Sequence, residues 1–138
     1  MKVLVDTSVW SLALRRKDVK ESREIVRELS QLISNSMVVM AGPVRQEVLS
    51  GISREEVFAD LKVKLEPFDD LILTTRDYET AAEFHNTCRR NGIQGSHTDF
   101  LICAIASNRD LLIFTTDDDF TQYARFLPIR LYRGKPRI

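Results

Sequence analysis

Asp6, Glu47, Asp99 and Asp117 lie far apart in the chain, yet each falls where an α/β fold would deliver it to one place. Asp6 directly follows the apolar run Val3-Leu4-Val5. Glu47 lies a few residues past Met37–Ala41 and the Gly42-Pro43 break, Asp117 lies just past Leu111–Phe114, and Asp99 opens the all-apolar stretch Phe100–Ala106. No lysine or arginine recurs beside them, so gathered carboxylates would repel one another. A hard divalent cation relieves this, because Mg²⁺ and Mn²⁺ take carboxylate and water oxygens and Mg²⁺ completes its shell with substrate phosphate. Such an ion orients a phosphodiester, activates a water and neutralises the leaving oxygen. The chemistry these four acids suit is phosphodiester hydrolysis.

Each acid also has a plainer reading. Asp6 and Asp117 suit helix N-caps, and Asp99 could pair with Ser96 in a capping box while complementing the helix dipole. Glu47 resists that explanation, since it stands three residues after Val44 and beside Val48, at the edge of a face expected to be buried, where an acid needs a partner. Caps account for acids one at a time. They do not account for acids in all three strand-to-helix loops.

The elements that must position these residues follow from periodicity. Lys2–Val5 reads as a strand ending at Asp6-Thr7-Ser8, which caps a helix over Val9–Arg16. Ile25, Val26, Leu29, Leu32 and Ile33 make an amphipathic helix of Lys20–Ile33. Met37–Ala41 reads as a second strand, and Pro43 starts a helix carrying Val44, Val48, Leu49 and Ile52. Helices are predicted over about Arg54–Leu65 and Asp77–Arg90, the latter stopped by Gly92. Phe100–Ala106 is a buried helix, Leu111–Phe114 a strand covered on both faces, and after Asp117–Phe120 a short helix runs to about Arg125. Pro128–Leu131 reads as an edge strand tolerating its proline. Strands alternating with helices predict an α/β fold, a single three-layer α/β/α domain over residues 1–138 with a mainly parallel central sheet. Ligands of such sheets sit beyond the carboxyl ends of the strands.

Composition narrows the class. The 138 residues are 43% hydrophobic and carry twenty basic and twenty acidic groups, which excludes coating nucleic acid by bulk charge. Basic patches are local: Arg15-Arg16-Lys17, Arg89-Arg90, and Arg130, Arg133, Lys135 and Arg137, each also readable as a solvated helix end or terminus. Cys88 and Cys103 form no metal-ligand spacing, and no apolar run reads as a membrane span or signal peptide, so reduced thiols and a cytoplasmic setting are expected. His85 and His97 read as ordinary helix residues, and Trp10 as packing.

Taken together, Asp6-Thr7-Ser8-Val9-Trp10, Glu47, His97-Thr98-Asp99 with the apolar helix to Ala106, and Thr115-Thr116-Asp117-Asp118-Asp119-Phe120 resemble a PIN domain. The resemblance runs nearly end to end and is most similar to VapC toxins of toxin–antitoxin pairs. It implies a Mg²⁺- or Mn²⁺-dependent endoribonuclease, the toxin of a type II pair, often a homodimer and held inactive by a cognate antitoxin. Carried over residue by residue, it makes Asp6, Glu47, Asp99 and Asp117 the catalytic, metal-binding quartet, with Asp119 an accessory ligand through water. Thr7 or Ser8, and Thr115, would hold ligands or the attacking water. Asp118 adds an acid beside the motif, and the family pattern favours Asp117.

The competing reading is a catalytically inactive PIN-like module that binds RNA or protein, which a broken quartet would signal and this sequence does not show. A phosphatase or receiver domain using an aspartyl intermediate is disfavoured, because Ser8 stands where a second acid is expected. A dinucleotide-binding fold is weaker still, for the first turn has no glycine-rich loop. For the antitoxin, the expected site is an apolar groove near the first helices, with an Arg or Lys presented to the acids.

Overall fold

The computed structural model describes residues 1–15 and 20–134. Arg16, Lys17, Lys135 and Arg137, named above as basic, lie outside the described residues. Four strands, β1 (Val3–Val5), β2 (Val38–Val39), β3 (Leu112–Phe114) and β4 (Arg130–Leu131), form one sheet in the order β2-β1-β3-β4. All three pairings are parallel. The described helices are α1 (Thr7–Arg15), α2 (Lys20–Ser34), α3 (Gly42–Leu49), α4 (Glu55–Leu65), α5 (Thr75–Arg90), α6 (His97–Arg109) and α7 (Asp119–Ala124), giving the expected three-layer α/β/α architecture.

The register places the site. Val5 of β1 lies opposite Phe114 of β3, and the Asp6 amide donates to the Phe114 carbonyl at 2.8 Å, so the residues that follow these central strands leave the sheet side by side. All of β1 is buried, as are Ile113 and Phe114. α6 is buried almost all round, through Phe100 and Ile102–Ala106, which explains its lack of an amphipathic stripe.

Boundaries differ from expectation where polar groups decide them. α6 starts at His97, ahead of Asp99, because Ser96 takes the N-cap and its Oγ accepts from the Asp99 amide at 3.0 Å. The second strand is shorter than Met37–Ala41, its continuation being a lone parallel bridge between Met40 and Asp70. β4 begins after Pro128, whose missing N–H cannot join the ladder. α5 stops as predicted: Gly92 sits at φ 75°, where a side chain is strained, while Ile93 N–H bonds to Cys88 O at 2.9 Å and Gly92 N–H to Arg89 O at 3.1 Å.

One buried ion pair holds the α5–α6 hairpin. Asp77 is 1% exposed and receives both Arg109 guanidinium nitrogens, Nη1 at 2.6 Å and Nη2 at 2.8 Å, along with Asn108 Nδ2 at 3.0 Å. It also closes a capping box with Thr74. Asp77 thus ties the first turn of α5 to the last turn of α6, the helix that carries Asp99.

Candidate metal centre

Asp6 leaves the end of β1 with its side chain 4% exposed. Two hydroxyls converge on one of its oxygens: Ser8 Oγ donates to Oδ2 at 2.9 Å and Thr115 Oγ1 donates at 2.8 Å. Each hydroxyl has one proton and spends it on Asp6, so each oxygen is left to accept. Ser8 Oγ accepts from Thr116 N–H at 3.0 Å and Thr115 Oγ1 from Asp117 N–H at 3.0 Å. The loops after β1 and β3 are therefore laced together through the Asp6 carboxylate. Ser8, not Thr7, does this. The Thr7 hydroxyl is buried and has no partner among the described residues.

Asp99, Asp117 and Asp119 each offer a carboxylate oxygen within 4.8 Å of the other two; the first two are half-buried and the third is exposed. Asp117 Oδ1 accepts from the Asp119 amide at 2.9 Å, a turn that directs both acids to one place. Asp118 is exposed, stands at the N-cap of α7 and is outside this trio, which answers which of the three consecutive aspartates gather with Asp99. Among the described residues no lysine or arginine pairs with Asp6, Asp99, Asp117 or Asp119. Burial raises the Asp6 carboxyl above its ordinary range against the hydrogen bonds from Thr115 and Ser8. Burial also raises Asp99, opposed by Tyr123 and reinforced by the negative charges of Asp6 and Asp117. The donor set is all carboxylate, crowded and free of a counter-charge, and it suits a hard divalent cation.

Glu47 is not in the trio. Its expected burial is corrected: Val44 and Val48 are the buried face of α3, while Glu47 points off it and is exposed, with no hydrogen-bond or ion-pair partner among the described residues. An exposed acid needs no partner.

Tyr123 was invisible to motif reasoning. It is fully buried on α7, and its hydroxyl donates to Asp99 Oδ2 at 2.7 Å, with its ring packed 5.0 Å from Phe100 and 5.2 Å from Phe120. Only its three-residue spacing from Phe120 hinted that it faces inward. Gly95 makes room for it: a Cβ there would stand 2.4 Å from the Tyr123 hydroxyl and 2.9 Å from the Phe100 ring. We expect Gly95→Ala to lower stability by about 1–3 kcal/mol through overpacking and to weaken divalent binding, because Tyr123 must leave Asp99. Thermal melts and metal titrations would check both, and Tyr123→Phe added to Gly95→Ala should recover part of the stability.

The family model described as PIN domain matches residues 3–126. The chain belongs to the PIN-domain family. Solved PIN-type folds superpose on it over nearly the whole length. A chain of VapBC2 from Rickettsia felis, bound to a DNA fragment from its promoter, is 15% identical with TM-score 0.78, covering 96% of this chain and 98% of that one. A chain of FitAcB from Neisseria gonorrhoeae is 20% identical with TM-score 0.75, covering 95% and 96%. Mycobacterium tuberculosis VapC20, a sarcin-ricin loop cleaving toxin, is 19% identical with TM-score 0.65, covering 94% and 99%. At these identities the likeness is one of fold. Among the described residues, no helix of this PIN domain is long and apolar enough to cross a membrane.

Proposed function

We propose that this PIN domain is a Mg²⁺- or Mn²⁺-dependent endoribonuclease and the toxin of a type II toxin–antitoxin pair. The observation that carries the reading is the trio Asp99, Asp117 and Asp119 within 4.8 Å, without a cationic partner. Asp99, Asp117 and Asp6 would hold the ion, Asp119 would join through water, and Glu47 would complete the quartet on the strength of its motif position. When bound, the ion supplies a Lewis acid toward the phosphodiester and eases the ionisation of water. The chain supplies the rest. Ser8 and Thr115 fix the Asp6 carboxylate by occupying one oxygen, and Tyr123 fixes one oxygen of Asp99, so both acids present a single orientation to a ligand. Burial of Asp6 keeps bulk water from competing for it.

The family's toxin members and the folds named above support an antitoxin partner. A cavity of about 290 Å³ bordered by Leu14 of α1, Ile52, Ser53, Arg54 and Val57 is the place proposed for such a partner near the first helices. A homodimer and a cytoplasmic setting, with Cys88 and Cys103 free and buried, belong to the same reading.

RNA incubated with the purified protein should be cut with Mg²⁺ or Mn²⁺, and spared by chelator or by Asp6→Asn. Cutting that survives both changes contradicts the metal mechanism, while RNA bound but never cut indicates the inactive module. Purification from the native host should bring down a small partner; a toxin that always emerges alone speaks against the pairing.

A further inference from the structure

We propose that Tyr123 is a positioning residue that decides which divalent cation the acid site takes, by holding Asp99 to a single-oxygen contact and so favouring Mg²⁺ or Mn²⁺ over Ca²⁺. The proposal rests on the cation reading above, and names the group that sets its selectivity. The two kinds of ion ask different things of a carboxylate. Ca²⁺ gathers about six to eight oxygens in a flexible shell and draws on carboxylates that give both of theirs, whereas Mg²⁺ demands a near-octahedral shell, keeps several waters and uses only one or two carboxylates. A protein can therefore choose between them by rationing carboxylate oxygens.

One oxygen is already engaged on each of three acids. The Tyr123 hydroxyl donates to Asp99 Oδ2 at 2.7 Å, Ser8 and Thr115 both donate to Asp6 Oδ2 at 2.9 Å and 2.8 Å, and the Asp119 amide donates to Asp117 Oδ1 at 2.9 Å. Two donors use both lone pairs of Asp6 Oδ2, so a grip through both oxygens of Asp6 would have to displace a hydroxyl. The set then offers one oxygen from each of these acids and leaves the rest of a shell to water. That suits the smaller ion.

Tyr123 differs from the other donors in how it is held. Ser8 Oγ and Thr115 Oγ1 also accept from the Thr116 and Asp117 amides, so they serve the loops as well as Asp6. Among the described residues the Tyr123 hydroxyl bonds only Asp99. Its ring is fully buried, tilted 49° against Phe100 at 5.0 Å and edge-on to Phe120 at 5.2 Å and 71°. Gly95 closes the remaining side so tightly that a Cβ there would stand 2.8 Å from Tyr123 Cζ. With the ring confined on these sides, the hydroxyl has no room to swing away and yield Oδ2 to a larger ion. Asp119 and Tyr123 both belong to α7, so one short helix carries an acid of the site and the group that restrains another.

The test is displacement of Mn²⁺ from the purified protein by Mg²⁺ and by Ca²⁺ in separate titrations near pH 7, followed through the paramagnetic resonance of the released Mn²⁺. Ca²⁺ should compete more weakly than Mg²⁺ for wild type. Tyr123→Phe keeps the ring and loses the hydroxyl. It should weaken Mg²⁺ about tenfold, the lower end of what a partner behind a metal ligand contributes, without weakening Ca²⁺, so the ratio of the two affinities moves about tenfold toward Ca²⁺. Gly95→Ala, which pushes the same hydroxyl off Asp99 from the other side, should move the ratio in the same direction and keeps the test open if Tyr123→Phe does not fold. A role confined to packing would lower the melting temperature and leave the ratio where it was. An unmoved ratio in the folded variants, or Ca²⁺ displacing Mn²⁺ from wild type as readily as Mg²⁺, would overturn the proposal and leave the cation site standing. Wild type that takes up no Mn²⁺ would overturn the cation reading and the proposal together.

Discussion

Asp99→Asn should make the metal-free protein more resistant to heat while abolishing its activity. Burial, reinforced by the negative charges of Asp6 and Asp117, raises the Asp99 carboxyl against the hydrogen bonds from Tyr123 and Ser96, so the folded chain disfavours its charged form. The sign follows from linkage. A carboxyl whose pKa is raised by folding stabilises the folded state only while protonated, below its ordinary range, and that stability is lost as pH rises through the raised value. An amide of the same shape keeps an acceptor for the Tyr123 hydroxyl and removes the charge. The melting temperature of Asp99→Asn, measured with chelator near pH 7, should therefore exceed that of wild type, with the gap closing as both are brought to acid pH. Adding Mn²⁺ should raise the wild-type melting temperature by mass action and leave the variant unmoved. Loss of an outer-shell partner costs roughly 10–100-fold at metal sites, so loss of a ligand should cost more than about 100-fold in RNA cutting. Asp6→Asn should follow the same pattern, as its carboxyl is also raised by burial.

Asp77→Ala should have the opposite effect on stability and the largest of any single change. The Arg109 guanidinium holds the Asp77 carboxyl well below the usual carboxylate range, outweighing burial, with Asn108 and the Thr74 amide assisting. A carboxyl lowered by folding contributes stability that is complete above its ordinary range and fades as pH falls below it. Asp77 should therefore steepen acid unfolding below about pH 4. Removing it strands a guanidinium whose side chain is 24% exposed, and breaking such a pair costs about 3–5 kcal/mol. In a chain of this size that is roughly 10–15 °C in melting temperature. Asp77→Leu combined with Arg109→Met should recover most of it, because the cost lies chiefly in the unpaired partner. Urea titrations of the single and double variants would measure this. Because Asp77 lies at the far ends of α5 and α6 from Asp99, divalent affinity of the folded Asp77→Ala protein should change little.

Much of the fold was legible because its signals are local. Val3-Leu4-Val5 and Leu112-Ile113-Phe114 are continuous apolar runs of strand length, and their ladders are parallel and buried as such runs imply. Gly92 stops α5 at the residue where a positive φ is needed. The acids after β1 and β3 were legible for a topological reason, since loops at the carboxyl ends of neighbouring strands emerge together. Glu47 was misjudged because α3 has only eight residues, too few for the apolar pattern to say which side of Val44 and Val48 faces solvent. The capping reading of Asp99 was half right: Ser96 caps through the Asp99 backbone, while the carboxylate turns to Tyr123. Tyr123, Gly95 and the Asp77–Arg109 pair were not legible. Each depends on two elements meeting across the fold, and no periodicity or spacing carries that information.

The carboxylates of Asp6, Asp99, Asp117 and Asp119 should form one divalent-cation site. Electron paramagnetic resonance tests it most directly, because free aqueous Mn²⁺ gives a strong signal that is lost on binding. Titrating Mn²⁺ into wild type near pH 7 should show saturable loss of that signal, reversed by excess Mg²⁺, and Asp99→Asn should show almost none. Wild type that leaves the Mn²⁺ signal unchanged, or an Asp99→Asn variant that binds Mn²⁺ as tightly as wild type, would contradict the account.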